Sequence, residues 1–263
     1  MRKIPAIHVT FELNGPVEIP VNYHHLIQSF IYSLLPSQDA LYLHDVGYEY
    51  QNRIFKLFTF SNIQCDQIKY DKNTKNLVFY DKIQISISSI LPEFIQKITN
   101  TLIHHDHFVL HRSKMRVGKI GFDENIAFSN CITVKALSPI TVYSTYERRD
   151  GSKITHYFSP WDRVFEHLIE ENFARKYQAF TGKPIEKKEL IKVRPVRVTR
   201  KDKKVTNYKS TWITGWTGVY ELEGEAEHLT FLLNTGLGSK NSIGFGFIRL
   251  LNKGVQENDK NNI

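Results

Sequence analysis

Apolar and polar residues alternate near the start of the chain: Ile7, Val9, Phe11 and Leu13 are separated by His8, Thr10 and Glu12. A period of two puts one set of side chains on one face, which predicts a half-buried strand. Over residues 22–35 the period changes. At about 100° per residue, Leu26, Ile27, Phe30, Ile31, Leu34 and Leu35 fall on one side of a helix. His25, Gln28, Ser29 and Tyr32 fall on the other. Residues 55–61 are apolar and aromatic and predict a strand; residues 77–80 and 83–87 predict two more around a Tyr80-Asp81-Lys82 turn. Pro92 opens a second helix with Phe94, Ile95, Ile98 and Leu102 on one side. Residues 107–120 end this half as a strand.

The same order of elements then recurs. Residues 131–144 predict a strand, and Asp150-Gly151 marks a hairpin turn. Ser159-Pro160-Trp161-Asp162 reads as a capping box with proline at the first helical position, for a helix running to about Phe180 and stopping at Gly182. Residues 190–199 and 211–221 form a long hairpin, with Pro195 marking an edge or a bulge. A last helix over residues 225–235 leads to a glycine-rich loop and a final strand. Two rounds of strand, helix, strands, helix, strand predict an α+β fold of two tandem ferredoxin-like (RRM-like) βαββαβ domains. The polar run Phe122-Asp123-Glu124-Asn125 divides them: residues 1–121, a linker over 122–129, and residues 130–263.

Charge narrows the function. The 263 residues carry 35 Lys and Arg against 27 Asp and Glu, a net charge of +8 that suits a polyanionic partner. Cys65 and Cys131 stand far apart with no CxxC spacing, which argues against a disulfide scaffold or a zinc site. The start of the chain has no apolar signal region and no segment is long enough to span a membrane, so a soluble cytoplasmic protein without a membrane partner is expected. His104-His105-Asp106-His107 has the composition of a metal site, but one polar turn offers no second half of one. No metal and no cofactor are expected.

The densest chemistry lies near the end, in residues 236–247. Gly236, Gly238, Gly244 and Gly246 surround Ser239, Lys240, Asn241 and Ser242. A loop of amides with one cation suits a phosphate backbone. Its spacing fits neither a dinucleotide fingerprint nor a P-loop, and on its own it also reads as a tight helix-to-strand turn capped by Gly236. A second basic cluster, Lys192, Arg194, Arg197, Arg200, Lys201, Lys203, Lys204 and Lys209, is followed by Tyr208, Trp212 and Trp216, which would suit stacking on bases.

The loop with its Gly-Phe-Gly and apolar strand resembles the C-terminal signature of CRISPR-associated RAMP proteins, and more narrowly of the endoribonucleases that cut precursor CRISPR RNA within its repeats. Tyr23-His24-His25 through Ile31-Tyr32, Leu43-His44-Asp45, Lys56-Leu57-Phe58-Thr59-Phe60-Ser61 and Leu137-Ser138-Pro139-Ile140 resemble further segments of that family, in the family's order. The resemblance implies two sheets facing each other across a basic cleft. It implies catalysis by Tyr32, His44 and Lys56, with Arg53 a possible alternative cation to Lys56. Alone, Tyr32 reads as a rim tyrosine, His44 as a solvated loop histidine and Lys56 as a charge at a strand edge.

By the same resemblance, Arg194, Arg197, Arg200, Lys201, Lys204 and the loop residues Gly236, Gly238, Ser239, Lys240, Asn241, Ser242 and Gly244 hold the repeat RNA. Cleavage without metal by the RNA's own 2′-hydroxyl would leave a 2′,3′-cyclic phosphate and a 5′-hydroxyl. His44 and Tyr32 both remain open as base or acid, tyrosine being the poorer base with an ordinary pKa of about 10. Partners would be precursor CRISPR RNA and subunits of a CRISPR effector complex, for a monomer or homodimer. The alternatives are a non-catalytic RNA-binding RAMP subunit and a basic nucleic-acid-binding protein without RNA chemistry.

Overall fold

Ile7, Val9 and Phe11 lie opposite Ile87, Ile85 and Ile83 on a neighbouring strand, and all six are buried. The computed structural model describes residues 5–45, 47–185 and 190–251, the side chains of residues 5 and 42–45 excepted. In the first half β1 (Pro5–Leu13), β2 (Phe58–Phe60), β3 (Lys82–Ser89) and β4 (Ser113–Glu124) form an antiparallel sheet in the order β2-β3-β1-β4. The short strand Phe108–Leu110 extends it at the β4 edge. Helix α1 (His24–Ser33) is followed by α2 (Ser37–Asp45), and α3 (Pro92–His104) comes between β3 and β4. Their apolar stripes cover the sheet: Phe30 meets Phe11 edge-on at 5.6 Å, and Phe94 stacks on Phe58 at 5.0 Å. Each such fully buried side chain contributes about 1.5–3 kcal/mol.

The second half repeats this plan. Strands β5 (Cys131–Ile140), β6 (Ile191–Arg197), β7 (Thr211–Gly224) and β8 (Ile248–Leu250) run β6-β7-β5-β8, with α4 (Val164–Thr181) and α5 (Ala226–Thr235) packed through Phe173 and Phe231. Both sheets have the 2-3-1-4 order of the split βαβ unit, so the chain is two tandem ferredoxin-like domains.

Where the structure departs from the pattern, a turn residue explains it. Residues 55–61 are not one strand, because Leu57 takes a left-handed φ of 54° and separates the strand Arg53–Phe55 from β2. Residues 107–120 divide at His111, φ 57°. Residues 76–79 do not pair with β3; they join Val17–Pro20 and Ile68–Asp71 in a separate sheet, and Asp81 with φ 58° turns the chain between the two. The Ser159 N–H donates to Asp162 Oδ2 at 2.6 Å, but this closes a free-standing turn, and α4 begins at Val164. Its stop at Gly182, φ 68°, is as expected. Between β6 and β7 the basic run forms a 3-10 turn, Arg200–Asp202, and a strand, Lys203–Tyr208, that pairs with the first part of β7. The register of β6 slips between Pro195 and Arg197, a bulge on an edge strand. Phe122, Asp123 and Glu124 remain in β4, opposite Ile7, Ala6 and Pro5. No helix among the described residues is long and apolar enough to cross a membrane.

The domains meet through buried polar groups. Asn234 at the end of α5 is fully buried; its Nδ2 donates to the carbonyls of Thr230 at 2.8 Å and Asn125 at 2.9 Å, and its Oδ1 accepts from the Ser88 hydroxyl at 3.3 Å. Asn125 Nδ2 donates back to Ser88 Oγ at 3.0 Å and to the Leu233 carbonyl at 3.2 Å. One strand of the first domain, the connection and one helix of the second are thereby tied. Asn234→Ala leaves the Asn125 carbonyl and the Ser88 hydroxyl with fewer partners in a buried seam, which should cost about 3 kcal/mol. Urea unfolding checks this; a loss below about 0.5 kcal/mol, the scale of an unremarkable surface change, would refute it.

Candidate nucleic-acid interface and active site

The glycine-rich loop is folded onto itself. The Leu237 N–H donates to the Gly246 carbonyl at 2.9 Å, the Gly246 N–H to Pro139 O at 2.9 Å and the Ser239 N–H to Thr141 O at 2.9 Å. A Cβ on residue 246 would lie 2.0 Å from the Leu237 carbonyl oxygen, so only glycine fits that crossing. Gly244 lies against the first domain, where a Cβ would stand 2.5 Å from the Phe60 ring. The contact is sealed by the Thr59 hydroxyl, which donates to Phe245 O at 3.1 Å, and by Phe245 against the His24 ring, centroids 5.0 Å apart. Burial pushes His24 down to about 4, so this imidazole is a neutral packing group. Gly236, Gly238 and Gly244, expected to touch RNA, are buried and absent from the cleft lining. The Gly236 N–H donates to Leu232 O and caps α5, and the Gly244 N–H donates to Asn241 O within the loop.

The polar middle of the loop faces outward. Ser239, Lys240, Asn241 and Ser242 line a cleft of about 420 Å³ between the domains, and Arg53, Lys56, Tyr143, Asn172 and Lys176 line it as well. Lys56 reaches it because the chain kinks at Leu57, a left-handed conformation that costs a branched residue about 1–2 kcal/mol. The buried Leu57 is held by its carbonyl, which accepts from Ser89 Oγ at 2.8 Å. The Lys240 ammonium sits 4.8 Å from the centre of the Tyr143 ring, a cation–π contact. Arg53, Lys56, Lys176 and Lys240 are basic, and no carboxylate is among the described residues of the lining.

Tyr32 stands beside this cleft. Its ring meets Phe58, a lining residue, edge-on at 5.9 Å. One turn earlier, Gln28 Nε2 donates to the Ser242 carbonyl at 2.9 Å while its Oε1 accepts from the Tyr208 hydroxyl. The polar face of α1 thus touches both the glycine loop and the Lys203–Tyr208 strand, and the Asn207 N–H adds a bond to Asn22 Oδ1 at 2.9 Å. Burial, and secondarily the nearby Tyr208, pushes the Tyr32 phenol up to about 12. It keeps its proton at neutral pH.

His44 belongs to the helical backbone of α2 rather than to a loop, and its side chain lies outside the described residues. Arg194, Arg197, Arg200, Lys201 and Lys204 are exposed on the outer edge of the second domain, away from the cleft lining. Arg194 faces Glu221 at 3.8 Å and Glu223 at 3.7 Å, exposed pairs of small worth that still blunt its charge. Trp212 is exposed, as stacking would need, whereas Trp216 is buried and meets Trp161 edge-on at 5.0 Å. His104 and His105 hydrogen-bond the carbonyls of Asn100 and Thr101, and among the described residues no three His, Cys, Asp or Glu side chains are grouped to hold a metal.

Lys176 and Asn172 are not apparent from the sequence as cleft residues. A signal for them exists: both lie on the stripe of α4 that buries Phe165, Ile169 and Phe173, where a lysine is out of place. The way the loop closes gives a clear expectation. Gly246→Ala should cost more than about 4 kcal/mol or abolish soluble expression, because backbone must move. Gly15→Ala, with nothing within 4 Å of the added methyl but a φ of 139°, should keep the chain folded. Thermal melts of both variants decide it, and a Gly246→Ala protein as stable as wild type would refute the crossing.

Two sequence profiles match the chain: "CRISPR-associated protein Cas6, N-terminal" over residues 18–121 and "CRISPR associated protein Cas6, C-terminal" over residues 122–250. A CRISPR-associated endoribonuclease Cas6 1 of Methanocaldococcus jannaschii is 27% identical over 268 residues, covering 99% of this chain and 98% of that one. A CRISPR-associated endoribonuclease Cas6 of Pyrococcus furiosus is 26% identical over 239 residues, 89% and 84% of the two chains. Among solved structures, one described as a RAMP protein binding different RNA substrates superposes with a TM-score of 0.77 at 20% identity, over 94% of this chain and all 100% of that one. With both halves matched in order and over most of its length, the chain belongs to the Cas6 family of CRISPR-associated proteins.

Proposed function

We propose that this protein is an endoribonuclease that cuts the repeats of precursor CRISPR RNA through the RNA's own 2′-hydroxyl. The observation that carries the reading is the interdomain cleft, which sets Lys56 opposite Ser239, Lys240, Asn241 and Ser242 with Tyr32 at its side. Related proteins named as endoribonucleases support it. The first domain, residues 1–121, supplies the reacting groups; the second, residues 130–263, supplies most of the grip.

The chemistry needs few groups, because RNA brings its nucleophile. The 2′-hydroxyl must lose a proton, the leaving 5′-oxygen must gain one, and the crowded phosphorane carries extra negative charge. Lys56 and Lys240 supply positive charge for the phosphorane. Tyr32, which holds its proton at neutral pH, suits donation to the leaving oxygen. His44 takes the part of the base. The products are a 2′,3′-cyclic phosphate and a 5′-hydroxyl. The exposed cations Arg197, Arg200, Lys201 and Lys204 extend the RNA path along the outer edge of the second domain, toward the polar face of α1 where Tyr208 docks.

A single 2′-deoxy nucleotide before the cut should abolish cleavage of repeat RNA and leave binding nearly unchanged, and excess EDTA should not inhibit. Loss with chelator that magnesium restores would refute the mechanism; binding without cleavage would favour the non-catalytic reading. Lys56→Ala should lower the single-turnover rate about a hundredfold at nearly constant affinity, the scale of losing one preorganised charge.

Each cation that pairs with a phosphate releases a counterion, so on single strands the log–log salt slope should flatten by about 0.7 for every such cation removed. Changing Arg197, Arg200 and Lys204 together to Ala should weaken binding and flatten that slope, with the saturated single-turnover rate near wild type. Affinities of both proteins across a salt series test this, and equal slopes would place the basic run outside the RNA path.

A further inference from the structure

Helix α4 turns a charge inward. Lys176 is only 2% exposed, and its ammonium donates to the Gly236 carbonyl at 2.6 Å, to Asn241 Oδ1 at 3.0 Å and, more weakly, to the Thr235 carbonyl at 3.4 Å. Two of these acceptors are carbonyls at the end of α5, where a cation complements the helix dipole. The third is the side chain that organises the glycine-rich loop: Asn241 Nδ2 donates to Phe245 O at 3.1 Å and to Leu237 O at 3.4 Å.

These bonds satisfy the donors of Lys176 but leave its charge uncompensated. A buried cation ordinarily requires a paired anion. The cleft that Lys176 lines offers the cations Arg53, Lys56 and Lys240, and no carboxylate among its described residues. A second buried group beside it is also unfinished. Asn172, one turn earlier on α4, is 7% exposed and lines the same cleft, yet its Oδ1 has no protein donor. An uncompensated ammonium and an unmet acceptor on the wall of one cleft together fit a ligand that carries an anion beside a hydroxyl, as a ribose phosphodiester does.

We propose that Lys176 is a positioning residue of this cleft: it fixes the glycine-rich loop through Gly236 and Asn241, and it gains its counter-charge when an RNA phosphodiester binds, so that RNA binding and protonation of Lys176 reinforce each other. This rests on the RNA reading above. Burial alone pushes the Lys176 ammonium down, to about 7. The titratable or charged groups around it are Tyr143, Arg53, Lys56 and Lys240 across the cleft, and Tyr177 and His228 where α4 packs on α5. In the free protein Lys176 is therefore partly neutral near neutral pH. A bound phosphate favours its charged form, so binding takes up a proton. Affinity then falls as pH rises above about 7, until the bound lysine also releases its proton.

The test uses repeat RNA blocked by a 2′-deoxy nucleotide at the cut, at fixed salt, between about pH 6.5 and 8.5, the range that brackets the lysine's lowered pKa. Calorimetry of the wild-type protein in two buffers of different ionisation enthalpy should show net proton uptake at the alkaline end. Its affinity should fall about tenfold or more across the range, the scale of one coupled proton. Lys176→Arg keeps a permanent charge and should show a shallower pH dependence. Lys176→Met should bind weakly with little pH dependence, its thermal melt showing that it is folded. Absence of proton uptake by the wild type, or the same pH slope in Lys176→Arg, overturns the proposal. A wild-type protein that binds no repeat RNA at any pH would overturn the RNA reading and this inference with it, whereas failure of Lys176 alone leaves wild-type binding and cleavage intact.

Discussion

The carbonyl of Leu237 lies where a side chain on residue 246 would begin, and much of the molecule depends on that crossing. It closes the segment after α5 into a loop whose ends touch, so the four polar residues between them project as one unit. It also places Gly244 flat against Phe60 of the first domain. The domains could have been joined by an apolar patch of any outline. Here a backbone without side chains is pressed onto an aromatic ring, Thr59 adds a hydrogen bond to the Phe245 carbonyl, and Ser88, Asn125 and Asn234 add a network a few residues away. Bonds of this kind are directional, so the seam specifies a single relative orientation where apolar contact would allow several.

That orientation explains the electrostatics of the cleft. Lys56 is delivered by the kink at Leu57, Lys240 by the loop and Lys176 by the inward face of α4, three elements distant in sequence. Like charges brought together in a partly desolvated space repel, and the free protein bears that cost. The Tyr143 ring lies beside the Lys240 ammonium, and the carbonyls of Gly236 and Thr235 accept from Lys176. Such an arrangement is poor design for stability alone and suits a site whose ligand is an anion. At Tyr32 the surroundings act the other way: burial and the neighbouring Tyr208 disfavour phenolate.

Much of this could be read from the sequence where a single period governs. The alternation of Ile7, Val9 and Phe11 and the stripes of α1 and α3 survive intact, because burial on one face is what the pattern records. The repeated order of elements was likewise enough for the tandem ferredoxin-like plan. The sequence was less informative where one residue in an unusual conformation decides the course of the chain. Leu57 and His111 have left-handed backbones where no break was expected, and the expected turn at Asp81 leads into β3 from a separate sheet instead of closing a hairpin with it. The glycines were visible with two readings, contacts for phosphate or a tight turn capped by Gly236; Gly236 does cap α5, and Gly236, Gly238 and Gly244 are buried beside the cleft-lining Ser239 to Ser242. Lys176 was hidden for a related reason. A charge on an apolar stripe looks like noise in a periodic pattern, and only the fold shows which carbonyls it meets.

The interdomain geometry also limits how binding and chemistry can be divided. The basic edge of the second domain is joined directly to the polar face of α1, Tyr208 to Gln28, and to the turn just before it, Asn207 to Asn22. Gln28 in turn holds the Ser242 carbonyl, and Tyr32 follows one turn along the same helix. On the proposed reading, a strand of RNA gripped along the second domain would be registered against Tyr32 and Lys56 by two short routes, one through the loop and one through α1. Reacting groups displaced by about 1 Å can lose two orders of magnitude in rate. Lengthening either route would thus separate grip from catalysis without removing a reacting group. The loop must be rigid for the same reason that its glycines must be small: it brings Ser239 to Ser242 of the second domain into a cleft that Lys56 of the first domain also lines.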